Sequence, residues 1–443
     1  MRIRTTSWGC EIPNMFLGRS RLSALALAAS LGTSPAFGLQ PLHVFLEGAD
    51  KSSPEQLAAV ATQEQREQED KATKWRLFPS LSIAGSYTRN QYNLEFAVPG
   101  STTPQPFMPH NQWDASVTLN VPIVNVTVWK QKSTTAALND LAEADTNAVR
   151  HDIKSRVALA YFQVMGSTAV RKAAEHNLQI AQENAQLVQT RRDNGAATEL
   201  DVERARANVA QAEQNLSSSK LSETISRQNL RSISGVEPSE VTDFPADDLH
   251  SEPALDHWIK SSQNSPTLVA GRAARTAAEQ QGAAAQAAWY PTINAMAQQR
   301  FTNATALVGH PAYYLIQLNV AWHFDGANLH TPRAQDAAVK VAHARELQSE
   351  RAIHDSVHHA FHQVKSGIER SQFARVQDTA ATRAVEIAQE QYLAGVTTQL
   401  EVLSAQQAAF AAEVSRIQAD TDLAYARTTL RLLAAQEPTS YVP

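Results

Sequence analysis

The chain has 443 residues, 43% of them hydrophobic, and its 39 lysines and arginines against 44 aspartates and glutamates leave a net charge of −5. That balance, with no basic cluster, excludes an electrostatic footprint for nucleic acid, and the length allows two or three domains. The single cysteine, Cys10, excludes a disulfide framework, and 16 glycines and 19 prolines leave long uninterrupted alanine- and glutamine-rich stretches that must be helices.

The chain opens on an export signal. Arg19 and Arg21 precede the apolar run 22–31, and small residues follow in 34–38. This is the basic, apolar, small-residue order of a secretory signal peptide covering residues 1–38, and its apolar part is too short to span a bilayer as a helix. The basic region is long, so Met15 is a second candidate start. Cys10 departs with the leader, which leaves the mature chain without a thiol nucleophile or a lipid-modified cysteine. No later segment reaches 18 consecutive apolar residues.

A polar helix is expected over 52–75. At Leu77-Phe78-Pro79-Ser80 the period changes from helical to alternating, and a strand is expected over about 77–90, with Leu81, Ile83 and Tyr87 opposite Ser80, Ser82, Ser86 and Thr88. A proline-rich polar loop runs to His110. The next strand, about 113–124, has the cleanest pattern: Trp113, Ala115, Val117, Leu119, Val121 and Ile123 face one way, and Asp114, Ser116, Thr118 and Asn120 the other. From about Lys130 to Asn194 there is no proline and one glycine, Gly166. That predicts a helix of roughly 97 Å at ~1.5 Å per residue. Asn194-Gly195 turns the chain, and a returning helix is expected over about 198–234. Residues 235–248 read as a linker.

The same order then recurs. A helix over about 253–288, interrupted near Pro266, leads to Tyr290-Pro291-Thr292-Ile293, which echoes Phe78-Pro79-Ser80-Leu81. Strands are expected over about 290–302 and 313–325; in the second, Ile316, Leu318, Val320, Trp322 and Phe324 alternate with Gln317, Asn319, His323 and Asp325. A helix over about 330–394 turns at Gly395 into a last helix over about 398–435. The halves align without a gap at an offset of 200 residues: Val157, Ala160 and Val164 recur as Val357, Ala360 and Val364, Gly195 as Gly395, Val202 as Val402, and Leu230 as Leu430. The chain is therefore a duplication, with repeats 39–245 and 246–443. Such pseudo-symmetry points to a tube more than to an enzyme cleft.

The long polar helices offer the strands' apolar faces no partner layer. A barrel in lipid resolves this, with apolar residues on the hydrocarbon and polar ones lining a wet lumen. Trp113, Val117, Leu119, Val121, Ile316, Leu318, Val320 and Trp322 are the expected lipid-facing residues, and the strands have about the length such a barrel needs. Four strands cannot close, and open edges in lipid leave backbone groups unpaired. Several chains must pool their strands; three copies would make twelve.

These features together resemble the TolC family of outer membrane efflux proteins across essentially the whole mature chain. The duplicated layout, the two strand starts and the two hairpin tips carry the likeness, the tips reading Arg191-Arg-Asp-Asn-Gly-Ala-Ala-Thr-Glu-Leu-Asp-Val202 and Gln391-Tyr-Leu-Ala-Gly-Val-Thr-Thr-Gln-Leu-Glu-Val402. The resemblance implies a mainly α fold with membrane β: a homotrimer with a twelve-stranded β-barrel in outer membrane lipid, continued by a long antiparallel α-helical coiled-coil barrel across the periplasm of a Gram-negative bacterium. It implies two partners, a periplasmic adaptor and an inner membrane efflux pump or ABC exporter, with the chain itself a passive duct for their substrates.

It also implies that the tips dock the adaptor, through Gly195, Ala197, Thr198, Gly395, Thr397 and Thr398. The family's aperture uses acidic residues six and nine positions after the second glycine. Here those are Glu401 and Ser404, so one carboxylate carries over; the first hairpin holds Asp201 and Arg204 at the same places. Arg204 reaching a neighbouring copy's Glu401 would hold the tip shut.

His354, His358 and His362 lie at i, i+4 and i+8 on one helical face, a spacing that suits zinc or copper. Their repeat equivalents, Lys154, Ala158 and Phe162, argue instead that position 362 is a packing site. No nucleophile elbow, metalloprotease motif or phosphate-binding loop is present, so no catalytic or cofactor residue is expected. The competing reading from another class is a secreted or periplasmic coiled-coil scaffold or adhesin without a pore.

Overall fold

The computed structural model describes residues 39–96, 104–239, 247–305 and 308–436. The expected leader, with Cys10 and Met15, lies outside them, as does the boundary between the repeats at 245 and 246. The helix expected over 52–75 is α2 (Pro54–Trp75), and a further helix, α1 (Leu42–Ser52), precedes it. Ser53 between them is extended, and Pro54 takes the first helical position, where its missing N–H costs nothing.

Four strands form one antiparallel sheet. The first, β1 (Ser80–Arg89), is followed by a small hairpin, β2 (Leu94–Phe96) and β3 (Gln105–Met108), inside the segment expected to be only loop. Then come β4 (Asn111–Val124), β5 (Thr292–Thr302) and β6 (Ala312–Ala321), and the sheet order is β1-β4-β5-β6. The register aligns the apolar faces: Leu119 stands opposite Leu81 and Ala297, Val117 opposite Ile83, Ile316 opposite Ala297, and Val320 opposite Ile293. All these share one face, because side chains alternate along every strand. The polar face carries Asp114, held 2.7 Å from Arg300, and Thr118, which accepts from Gln298 at 3.1 Å.

One strand boundary differs from expectation. Residues 322–325 leave the ladder after Ala321, so Trp322 is not a strand residue. Its indole Nε1 donates to the Trp289 carbonyl at 3.0 Å and its ring lies tilted against Phe324, centroids 4.6 Å apart, where the chain leaves the sheet for the helices.

The helices are α3 (Val126–Asp193), α4 (Glu199–Ser234), α5 (Leu255–Ser262), α6 (Pro266–Gln286), α7 (Ala327–Leu393) and α8 (Gln399–Leu433). The break expected near Pro266 separates α5 from α6, with Ser265 as the N-cap. Strand β4 runs almost directly into α3, whose N-cap Asn125 accepts from the Val128 N–H at 3.1 Å. The 68 residues of α3 span on the order of 100 Å.

The duplicated positions are the core. Val157, Val164 and Leu230 pack with Phe45 and Ile153, and Val357, Val364 and Leu430 pack with Trp258 and Leu423 in the same way. All six repeat residues are at most 1% exposed. Among the described residues no helix is long and apolar enough to cross a membrane.

Candidate functional site: the helical tips and the wall above them

Both hairpins turn on a glycine in the left-handed region, Gly195 at φ 75° and Gly395 at φ 74°. Nothing lies within 4 Å of where a Cβ would stand at either, so backbone conformation and not crowding demands glycine. The turns close alike. Ala196 N–H donates to the Arg191 carbonyl at 2.7 Å, and Val396 N–H to the Gln391 carbonyl at 2.8 Å.

The helices that follow start differently. Thr198 Oγ1 accepts from the Asp201 N–H at 3.2 Å and Asp201 Oδ2 accepts from the Thr198 N–H at 3.0 Å, a complete capping box. Thr398 has the same extended backbone, but its side chain makes no cap bond. Asp201 is thus engaged first as a helix cap.

The two hairpins meet at their ends. Val188, Val202, Ala205, Tyr392 and Val402 form a small core, with Ala197 packed against it. The Arg191 guanidinium lies 4.6 Å above the Tyr392 ring and donates to the Tyr392 carbonyl at 3.1 Å. Beyond this core the tips are open: Gly195, Thr198, Gly395 and Thr398 are exposed, Thr397 is half-buried, and Leu200, Leu400 and Val396 present apolar side chains to solvent. Arg204 is half-buried, and Glu401 and Ser404 are exposed. Among the described residues Arg204 and Glu401 share no ion pair within the chain.

Above the tips α3, α7 and α8 line a half-open groove of about 540 Å³, bordered among others by Asn184, Tyr392, Gln406, Phe410 and Glu413. Burial, reinforced by the charge of Asp378, pushes the Glu413 carboxyl above its usual range against the opposing pull of Arg416 and His176.

His354, His358 and His362 do form a stripe, with neighbouring ring centroids 4.5 and 6.4 Å apart. His362, however, is exposed within the single chain, unlike its repeat equivalent Phe162. Phe162 packs against Ala424 of α8, whereas His362, its equivalent on α7, has no such cover among the described residues.

Sequence reading missed a buried charge cluster where the linker meets α8. Arg427 is fully buried, its Nε 2.8 Å from Asp247, and it also pairs with Glu252 and donates to the His250 carbonyl at 2.7 Å. Ligand atoms of Asp247, Asp248 and His250 lie within 4.8 Å of one another, but the guanidinium already supplies the positive charge there.

A duplicated chain with one apolar strand face, a polar opposite face and two pairs of very long helices defines a class, the outer membrane channels with helical tunnels. The chain belongs to the outer membrane efflux protein family, whose model matches it twice, over residues 46–236 and 260–436. It is 25% identical over 410 residues to the pyoverdine export outer membrane protein OpmQ of Pseudomonas aeruginosa, a match covering 86% of this chain and 82% of OpmQ. In fold it is similar to the outer-membrane channel OprN, with a TM-score of 0.77, 19% identity and 90% of each chain covered. It is also similar to the outer membrane protein VceC of Vibrio cholerae, at a TM-score of 0.74 and 18% identity over 89% of this chain and 96% of VceC. The protein is an outer membrane efflux channel that reaches into the periplasm, and the scaffold reading falls.

Proposed function

We propose that three copies of this chain form one passive exit duct of a tripartite export system, with a periplasmic adaptor at the tips and an inner membrane pump or ABC exporter supplying the energy. Residues 1–38 are a cleaved leader, and 39–245 and 246–443 are the two repeats. The tips dock the adaptor through Gly195, Ala197, Thr198, Gly395, Thr397 and Thr398, and the aperture is set by Asp201, Arg204, Glu401 and Ser404 of neighbouring copies.

One observation supports the assembly above the rest: equivalent faces of the two repeats are covered unequally. Ala158, Phe162 and Ala173 on α3 are buried at 0%, 8% and 4%, because α8 covers that face. Their equivalents on α7 are His358, which is half-buried, and His362 and Phe373, which are exposed. The partner helices show the complementary asymmetry. Ile417 and Ala424 of α8 are buried, whereas Ser217 and Thr224 of α4 are exposed, and Leu221 and Ile225 nearby are 62% and 60% exposed. The bare stripe of α7 and the bare stripe of α4 are related as α3 is to α8, so each is completed by another copy. The sheet agrees, since β1 and β6 are both unpaired edges and an edge in lipid is costly.

The in-chain register gives the test. A Cβ at Gly166 would lie 2.8 Å from the Thr421 side chain. The equivalent pair between copies is Ser366 and Leu221. A Ser366→Cys, Leu221→Cys variant of the mature chain is expected to oxidise into a covalently closed trimer, with either single variant staying monomeric on a denaturing gel. Oxidation that yields only monomers from natively extracted protein would sink the assembly.

A further inference from the structure

We infer that His354 and His358 of α7 chelate one divalent transition-metal ion, of the zinc or copper(II) kind, as a resident of the helical wall. Their ring centroids are 4.5 Å apart and tilted by 45°. That is close enough for one nitrogen of each ring to reach a common ion at ~2.0–2.1 Å. Residues four apart share a helix face and side chains lean toward the helix N-terminus, so His358 leans onto His354. The ring nitrogens are uncommitted. Elsewhere on the wall imidazoles are in use: His151 Nε2 lies 2.8 Å from the Leu432 carbonyl, and His250 engages Asp248 and Arg427. Those of His354 and His358 form no hydrogen bond with a described residue. Asp355 Oδ1 stands 3.9 Å from His354 Nδ1, which favours a proton there and leaves Nε2 to face a cation.

The fold does not require these imidazoles. Helix α3 repeats α7 through the same core positions, with Val157, Ala160 and Val164 for Val357, Ala360 and Val364. Yet it carries Lys154, Ala158 and Phe162 where α7 carries three histidines. Packing explains the shared positions and leaves the histidines to another role. Ligand type selects the ion: imidazole with water in the remaining positions suits zinc, copper or nickel, whereas calcium and magnesium take oxygen ligands. The pair is also reachable. The His354 side chain is 51% exposed, and its counterpart Lys154 borders an open groove of about 370 Å³ on α3. His362, with its ring centroid 6.4 Å from that of His358, stands too far off to share the ion. Chelation needs one chain only. The ion's place at a seam between copies rests on the three-copy reading, because the matching face of α3 is the one that α8 covers.

The probe is zinc chloride, titrated by calorimetry into the untagged mature chain in detergent after treatment with EDTA. Saturable binding of one zinc per chain is expected. Copper(II) bound in its place should show imidazole nitrogen coupling by electron paramagnetic resonance. His354→Ala and His358→Ala should each weaken zinc binding at least tenfold, since loss of even an outer-shell partner of a metal costs ~10–100-fold. His359→Ala, beside the stripe, should leave it unchanged. Equal unfolding midpoints without metal check that the variants are folded, and His354→Gln repeats the test should an alanine variant fail. Absence of saturable zinc binding, or binding that survives His354→Ala and His358→Ala together, overturns the proposal. The two readings fail separately: a chain that binds zinc through this pair but does not cross-link through Ser366→Cys and Leu221→Cys loses the assembly and keeps the site.

Discussion

At the scale of single residues, the group carrying the most electrostatic weight is Arg427. Its side chain is fully buried, and the side chains of its partners Asp247 and Glu252 are only 3% and 6% exposed. Arg375 extends the cluster, pairing with the buried Asp420 at 3.0 Å and donating to the Asp247 carbonyl at 2.9 Å. The geometry ties the end of the inter-repeat linker to α7 and α8. Removing one member of a buried set leaves its partners charged and unsolvated, at a cost of about 3–5 kcal/mol. Arg427→Ala is therefore expected to lower the thermal unfolding midpoint of the purified protein markedly. Arg383→Ala removes an ion pair that is more than half exposed on both sides, and should leave the midpoint essentially unchanged. Equal midpoints for the two variants would show that the buried cluster contributes no more than a surface pair.

At the scale of elements, the two tips are near copies whose helix starts differ in one device. Thr198 and Asp201 close a capping box, whereas Thr398 caps nothing with its side chain. Thr198→Ala should cost the start of α4 about 1 kcal/mol, and Thr398→Ala should be close to neutral. Amide hydrogen exchange over 196–206 and 396–406 would read this locally: faster exchange at the first tip only is the expected result, and equal effects would contradict it.

The tips also show what the sequence carries legibly. Gly195 and Gly395 announce their turns because only a left-handed position needs glycine there, and the alternation from Trp113 to Ile123 reports its strand because one face must be apolar. The β2–β3 hairpin was hidden by Pro106, which interrupts any strand pattern, and the strand after Ala321 was overread because Trp322 and Phe324 keep the alternation after the ladder has ended. Arg427 was invisible for a different reason. Periodicity marks where a side chain points, and only the folded linker reveals that the charge is buried among partners.

At the scale of the whole molecule, the sheet gives the membrane reading its sharpest consequence. Leu119 and Asn120 are neighbours in β4 with opposite surroundings. Leu119 stands between Leu81 and Ala297 on the apolar face, whereas Asn120, on the opposite face, shares a mixed recess with Ser80, Asn294 and Asn319 beside Trp75 and Phe78. If the apolar face meets lipid, an arginine at 119 costs ~2–4 kcal/mol at the bilayer midplane, and each copy in the barrel bears that cost. An arginine at 120 enters a wet lumen and costs little. Leu119→Arg and Val320→Arg should therefore deplete the protein from the outer membrane fraction, while Asn120→Arg should insert at the normal level. The residue introduced and the charge added are the same in each substitution, so the contrast reads the face. Insertion of Leu119→Arg as efficient as that of Asn120→Arg would mean that the apolar face meets protein or water instead, and the barrel would have to be rebuilt with its faces reversed.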